Sequence, residues 1–160
     1  MTMQHPVDLL ITEGTVITPS GERQIDIACK NGRIIALGNL AATWAANETL
    51  SAKGLHVLPG VMDTQVHFRE PGMTHKETIE AGTRGAVLGG VTGVFEMPNT
   101  NPLTLHADDL QTKLNIAHNT AHCDYAFYIG GSAVNAEQLA TLERLPGCAG
   151  IKVFMGSSFG

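Results

Sequence analysis

The chain has 160 residues, of which 43% are hydrophobic, and a formal net charge of −5, which is the composition of a globular protein with enough apolar material for a core. Lys and Arg form no cluster and the acidic residues are spread along the chain, so we expect it to bind neither nucleic acid nor a membrane surface. The three cysteines form no C-x-x-C pair, and an odd number cannot all pair within one chain, which is typical of a reducing, cytoplasmic setting.

The first 58 residues are predicted to form short strands separated by turns. Apolar runs alternate with turn residues at 7–12, 15–17, 25–29 and 33–37. Asn31-Gly32 lies between two of these runs and is a strong signal for a β-hairpin. We expect a further pair of strands at 49–50 and 56–58, so that residues 1–58 form the N-terminal part of a small β-rich domain.

After Pro59 the pattern changes to strands that alternate with helices. The predicted strands span residues 61–68, 91–97, 124–129 and 150–155. The predicted helices span residues 74–88, 104–117 and 136–145. A capping box formed by Thr74 and Glu77 is predicted to start the first helix, and Gly89-Gly90 to end it.

Repeated βα units imply parallel strands in an α/β fold. Four strands with three intervening helices make about half of an eight-stranded barrel, which takes about 250 residues in full. We therefore interpret residues 59–160 as the first half, strands one to four, of a (β/α)8 TIM barrel, preceded by part of a small β-sandwich-like domain. Because an open half-barrel would expose a strand edge and an apolar interior, we expect the chain to be the N-terminal part of a longer protein, inactive and poorly soluble by itself.

Polar and apolar residues alternate along the first strand after Pro59. The polar ones are Asp63, Gln65, His67 and Arg69. Residues two apart share one face of a strand, and in a βα barrel the outward face meets helices while the site lies at the carboxyl ends of the strands. We therefore expect these four side chains to line a site. Taken alone, the alternation fits the solvated face of an antiparallel strand better, and the βα pattern that follows argues against that alternative.

His67 and Lys152 are candidate ligands of a metal ion. Imidazole binds zinc well, which makes His67 a candidate, but Gln65 stands where a His-x-His pair would have its first imidazole, and a neutral amide oxygen is a poor ligand. From this spacing alone a metal site is the less favoured interpretation. Lys152 lies in an apolar run near a strand end, where a buried ammonium is costly. It either extends to solvent from the strand edge or is chemically modified and serves as a ligand.

Asn99 lies in the loop after the second predicted strand, between Pro98 and Pro102. The two prolines make this loop rigid, and the Asn99 amide could offer a donor and an acceptor to a bound molecule. From the residues alone, an ordinary turn is about as good an interpretation. Glu96, on an otherwise apolar strand, is either an inward polar group or a rim residue, and the sequence does not decide between the two.

Taken together, these segments resemble the amidohydrolase superfamily and, within it, the dihydroorotases. The matching segments are 58–72, 75–84, 89–100 and 150–160. The β-rich start is similar to the small composite domain of the superfamily. Dihydropyrimidinases and allantoinases share much of the scaffold, but the segment F-R-E-P-G, which contains Arg69, is the dihydroorotase form.

The resemblance implies a role for each candidate residue. Arg69 and Asn99 would hold the carboxylate of the substrate, Arg69 through two parallel charge-assisted hydrogen bonds. His67 would be a metal ligand, and Lys152, as N-carboxylysine, would bridge two metal ions, usually zinc. Gln65 departs from the pattern, since the family has His at this position. Two further histidines and the general acid/base aspartate are expected beyond residue 160.

The implied reaction is the reversible, metal-dependent hydrolysis of the cyclic amide of dihydroorotate to N-carbamoyl-aspartate in pyrimidine biosynthesis. The full-length protein would be a cytoplasmic homo-oligomer. Two alternatives stay open. One is a non-catalytic dihydroorotase-like scaffold for aspartate carbamoyltransferase, which Gln65 favours and the retained His67 and Lys152 disfavour. The other is a cyclic amidase of the allantoinase or hydantoinase type.

Overall fold

In the computed structural model, which describes residues 5–156, the chain divides into two compact units, one ending at Pro59 and the other beginning at Gly60. The first unit consists of short strands. They are β1 (His5–Thr12), β2 (Thr15–Thr18), β3 (Gly21–Gln24), β4 (Asp26–Lys30), β5 (Arg33–Gly38), β6 (Trp44–Ser51) and β7 (His56–Val57). They form one four-stranded sheet with the order β5-β4-β1-β6 and one three-stranded sheet with the order β3-β2-β7.

The hairpin predicted at Asn31-Gly32 is confirmed, because it joins β4 to β5 with Lys30 paired to Arg33. Both turn residues have positive φ, 51° for Asn31 and 70° for Gly32, as a two-residue turn of type I′ requires. The core of this unit contains Val7, Leu10, Ala28 and Leu40.

The pairing predicted between residues 49–50 and 56–58 is wrong. β6 pairs in parallel with β1 along its whole length, and the short β7 pairs in parallel with β2 in the other sheet. Sequence proximity favoured a local hairpin, but β1 offers the eight-residue β6 a partner of equal length. β3 was not predicted, because its sequence GERQ is polar and has no apolar alternation, and all four residues are exposed. Its register comes from antiparallel pairing with β2.

The second unit has the predicted α/β order of alternating strands and helices. Its strands are β8 (Val61–Val66), β9 (Val91–Glu96), β10 (Asp124–Gly130) and β11 (Cys148–Lys152). Its helices are α1 (Ile79–Leu88), α2 (Ala107–Ala117) and α3 (Leu139–Leu142), the last preceded by a 3-10 turn at Ala136–Gln138. All strand pairs are parallel, in the order β11-β10-β9-β8, which is the arrangement of consecutive strands in a βα barrel.

The core of this unit lies between the sheet and its helices. Its buried members are Phe68, Ile79, Val94, Leu110, Ala117, Phe127, Ile129 and Leu142. Because side chains alternate along a strand, the face of the sheet opposite these residues carries Phe95 and Tyr128, whose rings meet edge to face at 6.3 Å. In a closed barrel that second face is the interior.

Two helix starts differ from the prediction. The first helix is capped by Thr78 rather than Thr74, since Thr78 Oγ1 accepts the amide hydrogen of Ala81 at 3.1 Å. Another free amide, that of Ile79, is satisfied from outside the local sequence by Glu70 Oε2 at 2.9 Å. The second helix begins at Ala107, because the predicted first residue, Thr104, is instead tied by its backbone into the loop.

No helix within residues 5–156 is long and apolar enough to cross a bilayer.

Candidate active site

His67 and Asn99 meet at the carboxyl ends of two neighbouring strands. His67 directly follows β8, Asn99 lies three residues after β9, and His67 Nδ1 is 2.8 Å from Asn99 Oδ1. An amide oxygen can only accept, so His67 Nδ1 is the donor in this hydrogen bond, and in the neutral imidazole the Nε2 lone pair is left to bind a ligand. That is the form in which a histidine with a fixed second nitrogen binds a metal ion.

The loop that carries Asn99 is held at both ends. Met97 donates its amide hydrogen to Val66 of β8 at 2.9 Å, and Thr104 donates to Pro98 at 3.0 Å. Asn99 is only 7% exposed. These hydrogen bonds tie both ends of the loop to the sheet, so the loop forms part of the rim at the carboxyl ends of the strands.

A network of hydrogen bonds continues this rim to the next strands. Gly130 at the end of β10 donates to Thr104 at 2.8 Å, and Gly131 donates to the carbonyl of Lys152 at 2.8 Å. Asn135, 1% exposed, donates through Nδ2 to Gly130 at 2.8 Å and to Leu105 at 2.7 Å. The sequence analysis did not identify Asn135, whose only local signal is the Gly-Gly-Ser turn before it.

Lys152 is the last residue of β11 and is partly buried. Its neighbour Ile151 packs on the helix side, so Lys152 projects from the opposite face, and its ammonium lies 5.2 Å from the ring centroid of Phe154. β11 and β8 are the outer strands of the sheet, three strand spacings or about 14 Å apart along it. Lys152 and His67 thus share the carboxyl edge, on strands that are not adjacent.

The polar alternation along β8 is interrupted. Asp63 pairs with Val94 and Val66 with Glu96, so three steps on β8 face two on β9, which is a bulge. Val66 and Phe68 do pack on the helix side, as predicted. Asp63 and Gln65, however, are exposed, and the backbone N–H of Gln65 donates to Asp63 Oδ1 at 3.0 Å. The alternation of polar and apolar residues along the strand gives no sign of a bulge, so the sequence could not predict this interruption.

No group of three or more His, Cys, Asp or Glu side chains within residues 5–156 is arranged to hold a metal ion.

Arg69, two residues after His67, is partly buried. Its positive charge counteracts part of the rise in the pKa of the buried Glu96. Arg69 forms no ion pair with another residue of the described part of the chain.

Glu96 points toward the helices, where it meets Lys113 of α2. Lys113 Nζ lies 2.6 Å from Glu96 Oε2, and the two side chains are 1% and 0% exposed. Burial raises the pKa of Glu96 to about 7, although Lys113 opposes the rise, and burial lowers the pKa of Lys113. Lys113 was missed; the available signal was a cation three residues after Leu110 and four before Ala117, on the buried stripe of α2.

The sequence of residues 54–145 matches the family model of the Dihydro-orotase-like proteins. The allantoinase of Deinococcus radiodurans is 38% identical over 153 residues, which are 95% of this chain and 34% of the relative. The allantoinase of Salmonella gallinarum is 40% identical over 152 residues, 94% of this chain and 33% of the relative. The L-hydantoinase from Arthrobacter aurescens superposes with a TM-score of 0.89 at 28% identity, covering 96% of this chain and 34% of that one. The chain thus spans about a third of the length of these relatives.

Proposed function

The chain belongs to the Dihydro-orotase-like family, and we propose that the protein carrying it hydrolyses a cyclic amide, with a five-membered ring of the allantoin or hydantoin type as its preferred substrate. The observation that carries this proposal is the likeness to allantoinases along 95% of the chain. The L-hydantoinase fold match over 96% of the chain supports the same substrate class. Dihydroorotate, the substrate expected from Arg69, becomes the second candidate.

Some of the candidate residues at the carboxyl ends of the strands are suitable ligands for a metal ion, and others are not. His67 is a fitting ligand, since Asn99 occupies Nδ1 and leaves Nε2 available. Lys152 lies at the same edge but fits only as its N-carboxylated, anionic form. Gln65 is exposed and remains a weak ligand at most. A divalent metal such as zinc, when bound, would lower the pKa of water and polarise the amide carbonyl.

In this proposal the residues of this chain orient the metal ligand His67 and fix the loops that face the substrate. Asn99 holds the His67 ring in one orientation and one tautomer. The rim between Pro98 and Gly131 fixes the loops that would face the ring of the substrate.

Dihydroorotate is the second candidate because of Arg69. Its guanidinium is partly buried and forms no ion pair within residues 5–156, so it is able to take a substrate carboxylate in a bidentate contact. Allantoin and hydantoin carry no carboxylate, and for them the Arg69 guanidinium would only donate hydrogen bonds to uncharged ring or ureido oxygens.

The test is an assay of the full-length, zinc-loaded protein with allantoin, hydantoin and dihydroorotate. We expect kcat/KM for one of the first two to exceed that for dihydroorotate at least tenfold, and Arg69→Met to change it less than tenfold. A preference for dihydroorotate that Arg69→Met abolishes, and Arg69→Lys partly restores, would establish the second candidate instead. Lack of turnover of all three would contradict an enzyme and favour the scaffold for aspartate carbamoyltransferase.

A further inference from the structure

An ion pair is buried in an otherwise apolar layer between β9 and α2. Glu96 and Lys113 are 0% and 1% exposed and 2.6 Å apart, and their neighbours Val94, Leu110 and Phe127 form the apolar core. Replacing a buried ion pair by apolar side chains of similar volume is often neutral or stabilising. The burial of this pair is therefore weak evidence for a stabilising role, and its other contacts show what else the two residues hold.

Lys113 reaches beyond its carboxylate partner to the backbone. Its Nζ donates to the carbonyl oxygen of Met97 at 3.3 Å and lies 5.5 Å from the ring centroid of Phe127. The amide of the same Met97 donates to Val66 of β8 at 2.9 Å. The first residue beyond β9 is thus held from the strand side through its N–H and from the helix side through its C=O.

Glu96 orients the ammonium that makes this contact. Glu96 Oε2 accepts from Lys113, while Oε1 has no hydrogen-bond partner among the described residues. Burial has the largest effect on the pKa of both groups. Of the nearby charges after β8, Arg69 lowers the pKa of Glu96 and Glu70 raises it. Asp109 of α2 raises the pKa of Lys113. Lys113 therefore connects helix α2 both to the Glu96 carboxylate and to the Met97 carbonyl, at the point where the chain leaves β9.

We propose that Glu96 and Lys113 are positioning residues, which fix the direction in which the chain leaves β9 and thereby hold Asn99 against His67. Asn99 is two residues beyond the carbonyl that Lys113 binds, and its contact with His67 depends on the path of Met97 and Pro98. The kinetic part of this inference rests on the proposed function, whereas the contact between Asn99 and His67 does not.

The decisive variant replaces both partners, Glu96→Leu with Lys113→Met. It removes the buried charges together, so it is expected to fold, but it also removes the donor to Met97. A purely structural pair would leave the His67 environment unchanged in this variant. A positioning pair would release Asn99 from His67 in a folded protein. Arg84→Met, on the exposed face of α1 at 62% side-chain exposure, is the matched control.

Two measurements on the full-length protein separate the outcomes. The first is the ¹⁵N NMR spectrum of His67 in the metal-free protein, with assignment by His67→Gln; we expect a single Nδ1–H tautomer in the parent and a mixture in the double variant. The second is kinetics with the best cyclic-amide substrate, for which we expect at least a tenfold fall in kcat/KM and no further fall when Asn99→Ala is added. Glu96→Gln, which keeps an acceptor for Lys113, is expected to retain most of both signals.

An unchanged His67 tautomer in a folded double variant would overturn the proposal, whatever the kinetics. If no substrate is turned over, the proposed function fails while the NMR result still decides the positioning role. If the double variant does not fold, Lys113→Gln takes its place, because its amide nitrogen lies one bond closer to the backbone and reaches Met97 less well. The same two outcomes then apply.

Discussion

His67 Nδ1 and Asn99 Oδ1 lie 2.8 Å apart, although the two residues are separated by 32 positions in the chain. The contact joins the carboxyl ends of β8 and β9, which are neighbours in the parallel sheet. Asn99 is only 7% exposed, and its Oδ1 engages the Nδ1 side of the His67 ring. Such an orienting partner raises the affinity of a histidine for its metal.

Asn99→Ala is expected to lower the zinc affinity of the full-length protein about 10- to 100-fold, the usual cost of losing such a partner. Competition with a chromogenic chelator measures it. Asn115→Ala, at an exposed position of α2, is the control and should leave the affinity unchanged. Equal affinities of Asn99→Ala and the parent protein would show that Asn99 does not orient a ligand.

Gln65→His is expected to raise the number of tightly bound zinc ions per subunit above that of the parent, for which we expect fewer than two. Imidazole is a much better zinc ligand than an amide oxygen. Metal analysis after dialysis measures the stoichiometry, with Gln65→Asn as the control that adds no imidazole. Two fully occupied zinc sites in the parent protein would refute this prediction.

Gly82→Ala and Gly85→Ala are expected to change stability in opposite directions. Both glycines lie in α1, where alanine alone would stabilise by about 1 kcal/mol. A Cβ at Gly82 would lie 2.7 Å from Phe68 Cδ1, whereas a Cβ at Gly85 would meet nothing within 4 Å. We expect Gly82→Ala to cost about 1–3 kcal/mol through overpacking.

Urea unfolding of the full-length protein measures the free energy of unfolding of the two glycine variants. Each variant serves as the control for the other. A Gly82→Ala protein as stable as Gly85→Ala would mean that Phe68 moves aside without cost.

Glu96 is expected to make stability depend on pH near neutrality. Burial raises its pKa from 4.5 to about 7 in the folded protein, so between these values the folded state binds more protons than the unfolded state. The contribution of Glu96 to the free energy of unfolding is therefore fully present below about pH 4.5 and lost as the pH rises through about 7.

Denaturant unfolding at several pH values from 5 to 8 tests this, with Glu96→Gln as the variant that cannot titrate. The parent should lose stability relative to Glu96→Gln as the pH rises. Parallel pH profiles of the two proteins would show that Glu96 stays ionised throughout, held so by Lys113.

Local patterns predicted those features that depend on neighbouring residues alone. The Asn31-Gly32 hairpin follows from two residues that tolerate positive φ. The alternation of strands and helices after Pro59 follows from their different hydrophobic periods. The cap of α1 did not follow, because Glu70, nine positions before Ile79, supplies one of its acceptors.

For the candidate site, the sequence by itself predicted that His67 lies near the carboxyl end of one strand and that Asn99 follows the next. It placed Lys152 inside a strand of residues 150–155, whereas β11 ends at Lys152. Strand periodicity is a local property, so these positions are visible in the chain. Only the tertiary structure decided that Asn99 bonds to His67, that a bulge breaks the polar face before it, and that Glu96 turns toward Lys113. Those contacts depend on how the sheet twists and where α2 packs on it. They join residues that are far apart in the sequence, and sequence separation does not tell which distant residues lie close together in space.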